Sequence, residues 1–180
     1  MRVGVIGTEY DIIPVSGIEQ LFSLLEELYD GSVAYAVFGT YTFTPEISSR
    51  LTKIFEVVRV FAGRMPSGKY GGVHVTQAQI HFKGMISWDT KRTVSYIGSS
   101  NLTFESGGNY GIVFIKNDSF YGFNTEATLN GYREFHDPIE VIFNDIVSRE
   151  TGGRCEKCKE PSKFLVLDKV GRLVCQRCKQ

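Results

Sequence analysis

The sequence predicts an α/β protein: a mixed β-sheet flanked by helices, followed by a small metal-bound module. Three observations point there. Strand and helix patterns alternate over the first third of the chain. From 73 to 97 strand patterns succeed one another with only turns between them. All four cysteines fall in the last thirty residues, as two Cys-x-x-Cys pairs.

Taken in order, residues 2–7 read as a short strand. Ser16 stands where a helix N-cap belongs, Glu19 completes a capping box, and Ile18, Leu21, Phe22, Leu25 and Leu28 fall on one helical face. Residues 33–38 and 55–61 are rich in β-branched and aromatic side chains and read as strands. Between them a helix opens at Pro45 and runs through Leu51, completing a βαβαβ pattern. The strand patterns at 73–82, 85–88 and 93–97 leave no room for crossover helices, so antiparallel strands must join the sheet. After Asp137-Pro138, the residues Ile139, Val141, Ile142, Phe143, Ile146 and Val147 form an apolar stripe at helical spacing. Thr151-Gly152-Gly153 marks a boundary, because a glycine pair is costly to order and seldom continues a helix. The expected domains are therefore 1–150 and 151–180. No internal repeat is visible, so a two-fold architecture would need a second chain.

Composition excludes several classes. At 180 residues with 42% hydrophobic and 22% charged side chains, the chain is neither disordered, collagenous nor a coiled coil. No apolar run approaches the roughly 20 residues of a membrane span, and no targeting segment is evident, so the expectation is a cytoplasmic protein without a membrane partner. The 20 basic and 20 acidic residues cancel, but unevenly: residues 1–150 carry 12 basic and 17 acidic, and 151–180 carry 8 and 3. Eight of the 12 lie between Arg50 and Arg92. A polyanion would be drawn to that stretch and to the basic tail; plain solvated surface charge is the alternative.

Cys155-x-x-Cys158 and Cys175-x-x-Cys178, with sixteen residues between the pairs, match a tetrathiolate zinc ribbon. The intervening 163–168 and 172–174 read as a hairpin that would set two cysteine knuckles on one ion. So short a segment cannot bury enough apolar surface to fold alone, and zinc would supply the missing free energy in a closed, structural site. Two disulfides are the competing reading.

Chemistry enters at His81-Phe82-Lys83. They stand at the end of the 75–82 strand pattern, so His81 and Lys83 share one face and Phe82 takes the other. Beyond a short hairpin comes Gly98-Ser99-Ser100-Asn101, where Ser99 and Asn101 can project donors together. Imidazole, ammonium, hydroxyl and amide make a phosphate cradle with a nucleophile in it. Ordinary turn chemistry and a structural histidine are the plain alternative for each half alone.

These residues resemble the phospholipase D superfamily, whose mark is His-x-Lys followed by Gly-Ser-x-Asn. The motif occurs once here, as in single-motif endonucleases of that superfamily, where two chains bring two motifs into one site. The resemblance implies a homodimer, a nucleic-acid substrate with DNA ahead of RNA, and a metal-independent, two-step phosphodiester cleavage through a phosphohistidine on His81. Lys83, Ser99 and Asn101 would stabilise the phosphoryl oxygens. An acid that many members carry after the lysine would correspond to Asp89, six residues on rather than five. A glutamate that many carry near the next strand is replaced by Gly111, and Glu105 is the nearest substitute by position. The other reading is therefore an impaired nuclease fold that serves as a nucleic-acid- or protein-binding module, with the ribbon as recognition element.

Upstream of the motif, the glycine-rich stretch 63–72 carries Arg64 and Lys69 with Tyr70. It reads either as a polynucleotide clamp or as a surface connection. The strip Tyr35, Phe38, Tyr41, Phe43 reads as core-facing in preference to base-stacking.

Overall fold

A computed structural model describes residues 2–5, 8–104, 108–119, 122–126 and 138–179. The chain divides into two compact units, Met1–Phe120 and Tyr121–Gln180. The division falls ahead of the helix that the sequence groups with the first domain.

In the first unit, β1 (Arg2–Val5) and β2 (Thr8–Ser16) lead into α1 (Gly17–Leu28) and β3 (Tyr35–Thr40). A 3₁₀ turn (Pro45–Ile47) and α2 (Ser48–Ile54) precede β4 (Val57–Ala62). Then come β5 (Gly68–Tyr70), β6 (Val73–Gln77), β7 (Gly84–Trp88), β8 (Thr93–Gly98) and β9 (Tyr110–Lys116). They form one sheet in the order β1-β2-β9-β8-β7-β3-β4-β6-β5. Only the pairs β3/β4 and β4/β6 are parallel, so the sheet is mixed as expected.

One face of the sheet is closed by α1 and α2. Ile18, Leu21, Phe22 and Leu25 of α1 meet Leu51 and Ile54 of α2 over Ala36, Phe38, Val58, Val60 and Val113. The period of three to four residues in the helices and of two in the strands places these side chains together. The capping box does not form. Ser16 makes no side-chain cap bond; its N–H donates to Gln20 Oε1 at 2.6 Å, while Glu19 turns to Arg50.

Strand β2 has no counterpart in the expected elements. Its span carries Pro14, which lies beyond the part paired with β1 and faces only β9, where a missing N–H is tolerated. The glycine-rich stretch is also more ordered than a loop. β5 pairs antiparallel with β6 through a turn in which Gly71 and Gly72 have φ of 54° and 96°.

Part of the basic stretch is taken up by internal partners. Arg59 is buried, with Nη2 donating to Thr76 Oγ1 at 2.9 Å and its guanidinium 4.9 Å from the Phe61 ring centroid. Arg50 pairs with Glu19 and Glu26. Such cations cannot also serve a polyanion.

The second unit contains β10 (Phe123–Asn124), α3 (Pro138–Thr151), β11 (Phe164–Leu167), β12 (Leu173–Val174) and a 3₁₀ turn (Gln176–Cys178). The strands form a three-stranded sheet in the order β10-β11-β12. The apolar stripe buries Ile139, Phe143, Ile146 and Val147. The helix ends where Gly152 and Gly153 take φ of 60° and 68°, the left-handed conformation that stops a helix. Among the described residues no helix is long and apolar enough to cross a membrane.

Candidate functional site

Strand direction decides where the motif residues gather. β2, β3, β4, β6 and β8 run one way, and β7 and β9 run the other. The C-terminal ends of the first group and the N-terminal ends of the second therefore share one end of the sheet, and both halves of the motif lie there.

His81 and Lys83 are not on a strand. β6 stops at Gln77, because its partner β4 stops at Ala62; the Ala78 N–H makes one further bond to Ala62 O at 3.0 Å. The next strand in sequence, β7, lies beyond β4 and β3, so residues 78–83 must cross the ends of both. Gly63 marks the crossing: a Cβ there would stand 2.8 Å from Ile80 O and 2.6 Å from Tyr41 Cδ2. His81 is exposed, and its ring stacks on Tyr41 with centroids 4.3 Å apart and planes 21° apart. Lys83 is half-buried, with Nζ donating to His81 O at 3.3 Å. Phe82 turns onto Gly84, where a Cβ would meet its ring at 2.3 Å.

The second half of the motif is anchored differently. Leu102 is buried in the core, bridges to Phe43 and accepts from Thr44 N–H at 2.9 Å. This fixes Asn101 beside the end of β3, where Thr42 N–H donates to Asn101 Oδ1 at 3.2 Å and Leu102 N–H donates to Thr40 Oγ1 at 3.1 Å. With Oδ1 held by a backbone donor, the amide orientation is set. Asn101 Nδ2, which hydrogen-bonds to no described residue, remains as a donor for a ligand. Ser99 is committed elsewhere: its N–H donates to Tyr110 O at 3.0 Å, and its Oγ lies 3.1 Å from Tyr110 N and 3.2 Å from Asn109 Oδ1. Its hydroxyl ties the start of β9 rather than standing free beside Asn101.

Gly111 has a steric reason. A Cβ there would stand 2.2 Å from Tyr96 Cε2, and one at Gly98 would stand 2.1 Å from Tyr96 Oη. The Tyr96 ring thus covers both glycines and fills the place of any side chain at 111. Burial raises the Tyr96 phenol pKa, an effect that the adjoining Ser100 opposes. Asp89 belongs to the other end of the sheet. Its Oδ1 accepts from the N–H groups of Lys91 and Arg92 at 2.7 and 2.8 Å, shaping the β7–β8 turn. Glu105 lies outside the described residues.

Of the two cations assigned to substrate, Arg64 lies over the Tyr41 ring on which His81 stacks, and Lys69 does not. The Arg64 guanidinium carbon is 4.8 Å from the Tyr41 ring centroid, and the Arg64 backbone N–H donates to Tyr41 O at 2.9 Å. Lys69 is exposed on the edge strand β5. Tyr70 is not free to stack on a base, since it packs against the core beside Phe43, with ring centroids 6.3 Å apart. The aromatic strip divides: Phe38 and Phe43 are core, and Tyr41 is part of the site. No sequence pattern separates Tyr41 from Phe43, because both lie past the end of β3.

The second unit brings Cys155, Cys158, Cys175 and Cys178 together as free thiols, with all four sulfurs within 4.8 Å of one another and Cys158 Sγ 3.9 Å from Cys175 Sγ. A tetrahedral ion with metal–sulfur bonds of about 2.3 Å holds its sulfurs about 3.8 Å apart, so the four cysteines can bind a metal such as zinc. Desolvation pushes the Cys155 thiol up, but N–H groups of Cys158, Cys175 and Lys157 outweigh it and hold the group at about 6. Cys178 is pushed up to about 12 by desolvation and by the other three cysteines, chiefly Cys175. Crowded sulfurs that cannot all ionise are what a cation would relieve. Around them the β11–β12 turn is closed by Asp168, whose Oδ1 accepts from Val170 and Arg172 N–H at 3.0 and 2.9 Å and whose Oδ2 pairs with the Arg172 guanidinium at 2.8 Å.

No family model matches the sequence, and no curated protein matches it. Among solved structures, a crystal structure of a mutant yeast tyrosyl-DNA phosphodiesterase is similar at 10% sequence identity, over 76% of this chain and 41% of that one, with a TM-score of 0.45. The chain thus spans about two fifths of that protein's length. At such identity and score the similarity carries no chemistry across.

Proposed function

We propose that the protein is a metal-independent phosphodiesterase acting on nucleic acid, DNA ahead of RNA, through a site shared by two copies of the chain. One observation carries this reading: Asn101 Nδ2 is left as an oriented donor at the same sheet end as the exposed imidazole of His81 and the ammonium of Lys83. In the first step a His81 nitrogen attacks phosphorus. A P–N bond forms, the P–O bond to the leaving strand breaks, and His81 of the partner subunit gives its proton to the departing oxygen. In the second step water attacks the phosphohistidine. The partner's imidazole takes the water proton, and His81 is restored. Lys83 and Asn101 stabilise the equatorial oxygens as charge builds, which removes the need for a divalent ion in cleavage. Arg64 adds a cation for the substrate backbone. One neutral and one protonated imidazole are required, so activity is bell-shaped in pH. Zn²⁺ on the four cysteines is structural and supplies folding free energy to its own unit.

The test is cleavage of plasmid and single-stranded DNA in EDTA, over a range of pH, beside His81→Ala. We expect wild-type cleavage and a loss of at least about 1,000-fold in the variant, as for removal of a covalent nucleophile. A variant as active as wild type, or a protein that is monomeric by light scattering while active, overturns the reading. A second reading, a binding module without catalysis, is favoured by the Tyr96 ring in the place of an acid at Gly111; DNA retained in a mobility-shift assay without cleavage at any pH would support it.

A further inference from the structure

We propose that Tyr41 is the positioning residue for His81, orienting the imidazole by ring stacking where a nucleophilic histidine is more often oriented by a hydrogen bond to a carboxylate. The proposal rests on the reading of His81 as nucleophile. An imidazole on an exposed connection turns about two side-chain torsions, and attack on phosphorus needs one nitrogen held in line. Among the described residues no group hydrogen-bonds to the His81 ring; its contact is the Tyr41 ring, at 4.3 Å and 21°.

Tyr41 is itself held from several sides. Its carbonyl accepts from Arg64 N–H at 2.9 Å, and the preceding carbonyl, Thr40 O, accepts from Gly63 N–H at 3.0 Å. The residue after it, Thr42, donates to Asn101 Oδ1 at 3.2 Å. The ring edge lies against Gly63, where even a methyl group would come within 2.6 Å, and the Arg64 guanidinium carbon is 4.8 Å from its centroid. A platform fixed by the ends of β3 and β4 can transmit its position to a side chain riding on a strand-free crossing. Thr40 and Thr42, on either side of Tyr41, brace Asn101, so one segment sets the spacing between nucleophile and amide donor.

Two measurements test this. In proton NMR spectra, ring current from Tyr41 places the His81 ring protons upfield of their positions in Tyr41→Leu, while Tyr41→Phe retains the upfield shift. In cleavage assays, Tyr41→Leu lowers kcat by about 10- to 100-fold with KM little changed, as expected for a misplaced reacting group, and Tyr41→Phe restores it. Tyr41→Met, which keeps much of the side-chain volume without an aromatic ring, moves the His81 signals and lowers kcat in the same direction; it serves as the second variant if Tyr41→Leu is poorly folded. Unmoved His81 signals in Tyr41→Leu, or an unchanged kcat in a folded variant, overturns the proposal. If wild type cleaves nothing, the nuclease reading falls by itself, and the NMR comparison still decides whether the stack holds the ring.

Discussion

The two units of this chain solve the same stability problem with different materials. The first places α1 and α2 on a broad sheet and buries Leu21, Phe22, Leu25, Leu51 and Val60 completely. The second has short strands of two to four residues and draws four sulfurs within 4.8 Å of one another. Apolar burial scales with the size of a unit, whereas a coordinated ion contributes its full free energy to a unit of any size. The strand ends of the first unit are therefore held by a large core, while the second joins its four cysteines to a smaller core of Phe143, Ile146, Val147 and Leu165.

The sharpest way to break the comparison is to deny the four cysteines any metal. Chelation at neutral pH, or Cys155→Ser with Cys175→Ser, should unfold the second unit, with a loss on the order of 10 kcal/mol, while the first keeps its structure; resolved NMR signals from each unit would check this. Retention of the second unit's dispersion without metal would place its stability in its small core instead. Next in size is Phe22→Ala, which should cost the first unit about 3–5 kcal/mol in urea unfolding and leave metal binding unchanged. Smallest is Asp168→Asn. Desolvation would raise the Asp168 pKa, but N–H donors of Arg172 and Val170 and the Arg172 guanidinium outweigh it and hold the carboxyl below its ordinary range. A lowered folded-state pKa stabilises above the unfolded value, about 3.9, and that contribution is lost as pH falls through the folded one. The variant should be about 1 kcal/mol less stable than wild type at pH 7, with the gap closing below about pH 4 when the two are compared at each pH.

Much of this was legible because periodicity reports burial directly. The α1 stripe, the paired cysteines and the run of strands from Val73 onward all express a side chain's need for core or metal. The parts that were not legible depend on neighbours distant in sequence. β2 is hidden by Asp11 and Pro14, which a strand tolerates only where its partner permits. The strand pattern before His81 runs on to Phe82, and Ala78 and Ile80 are indeed buried, but the strand ends at Gln77 because β4 has ended. Ser99 and Asn101 look equivalent in the motif, yet one is tied to β9 and the other faces the end of β3. Tyr41 could not be separated from Phe38 and Phe43 without knowing that a chain crosses above Gly63.

The Tyr96 ring lying across Gly98 and Gly111 also governs which evolutionary or engineered routes are open. A glutamate introduced at position 111 meets an aromatic wall 2.2 Å from its first carbon, so that change made first should be deleterious whatever its chemical promise. Trimming Tyr96 beforehand opens the space at the expense of packing. The order of the two changes, more than either alone, decides whether an acid can be installed there.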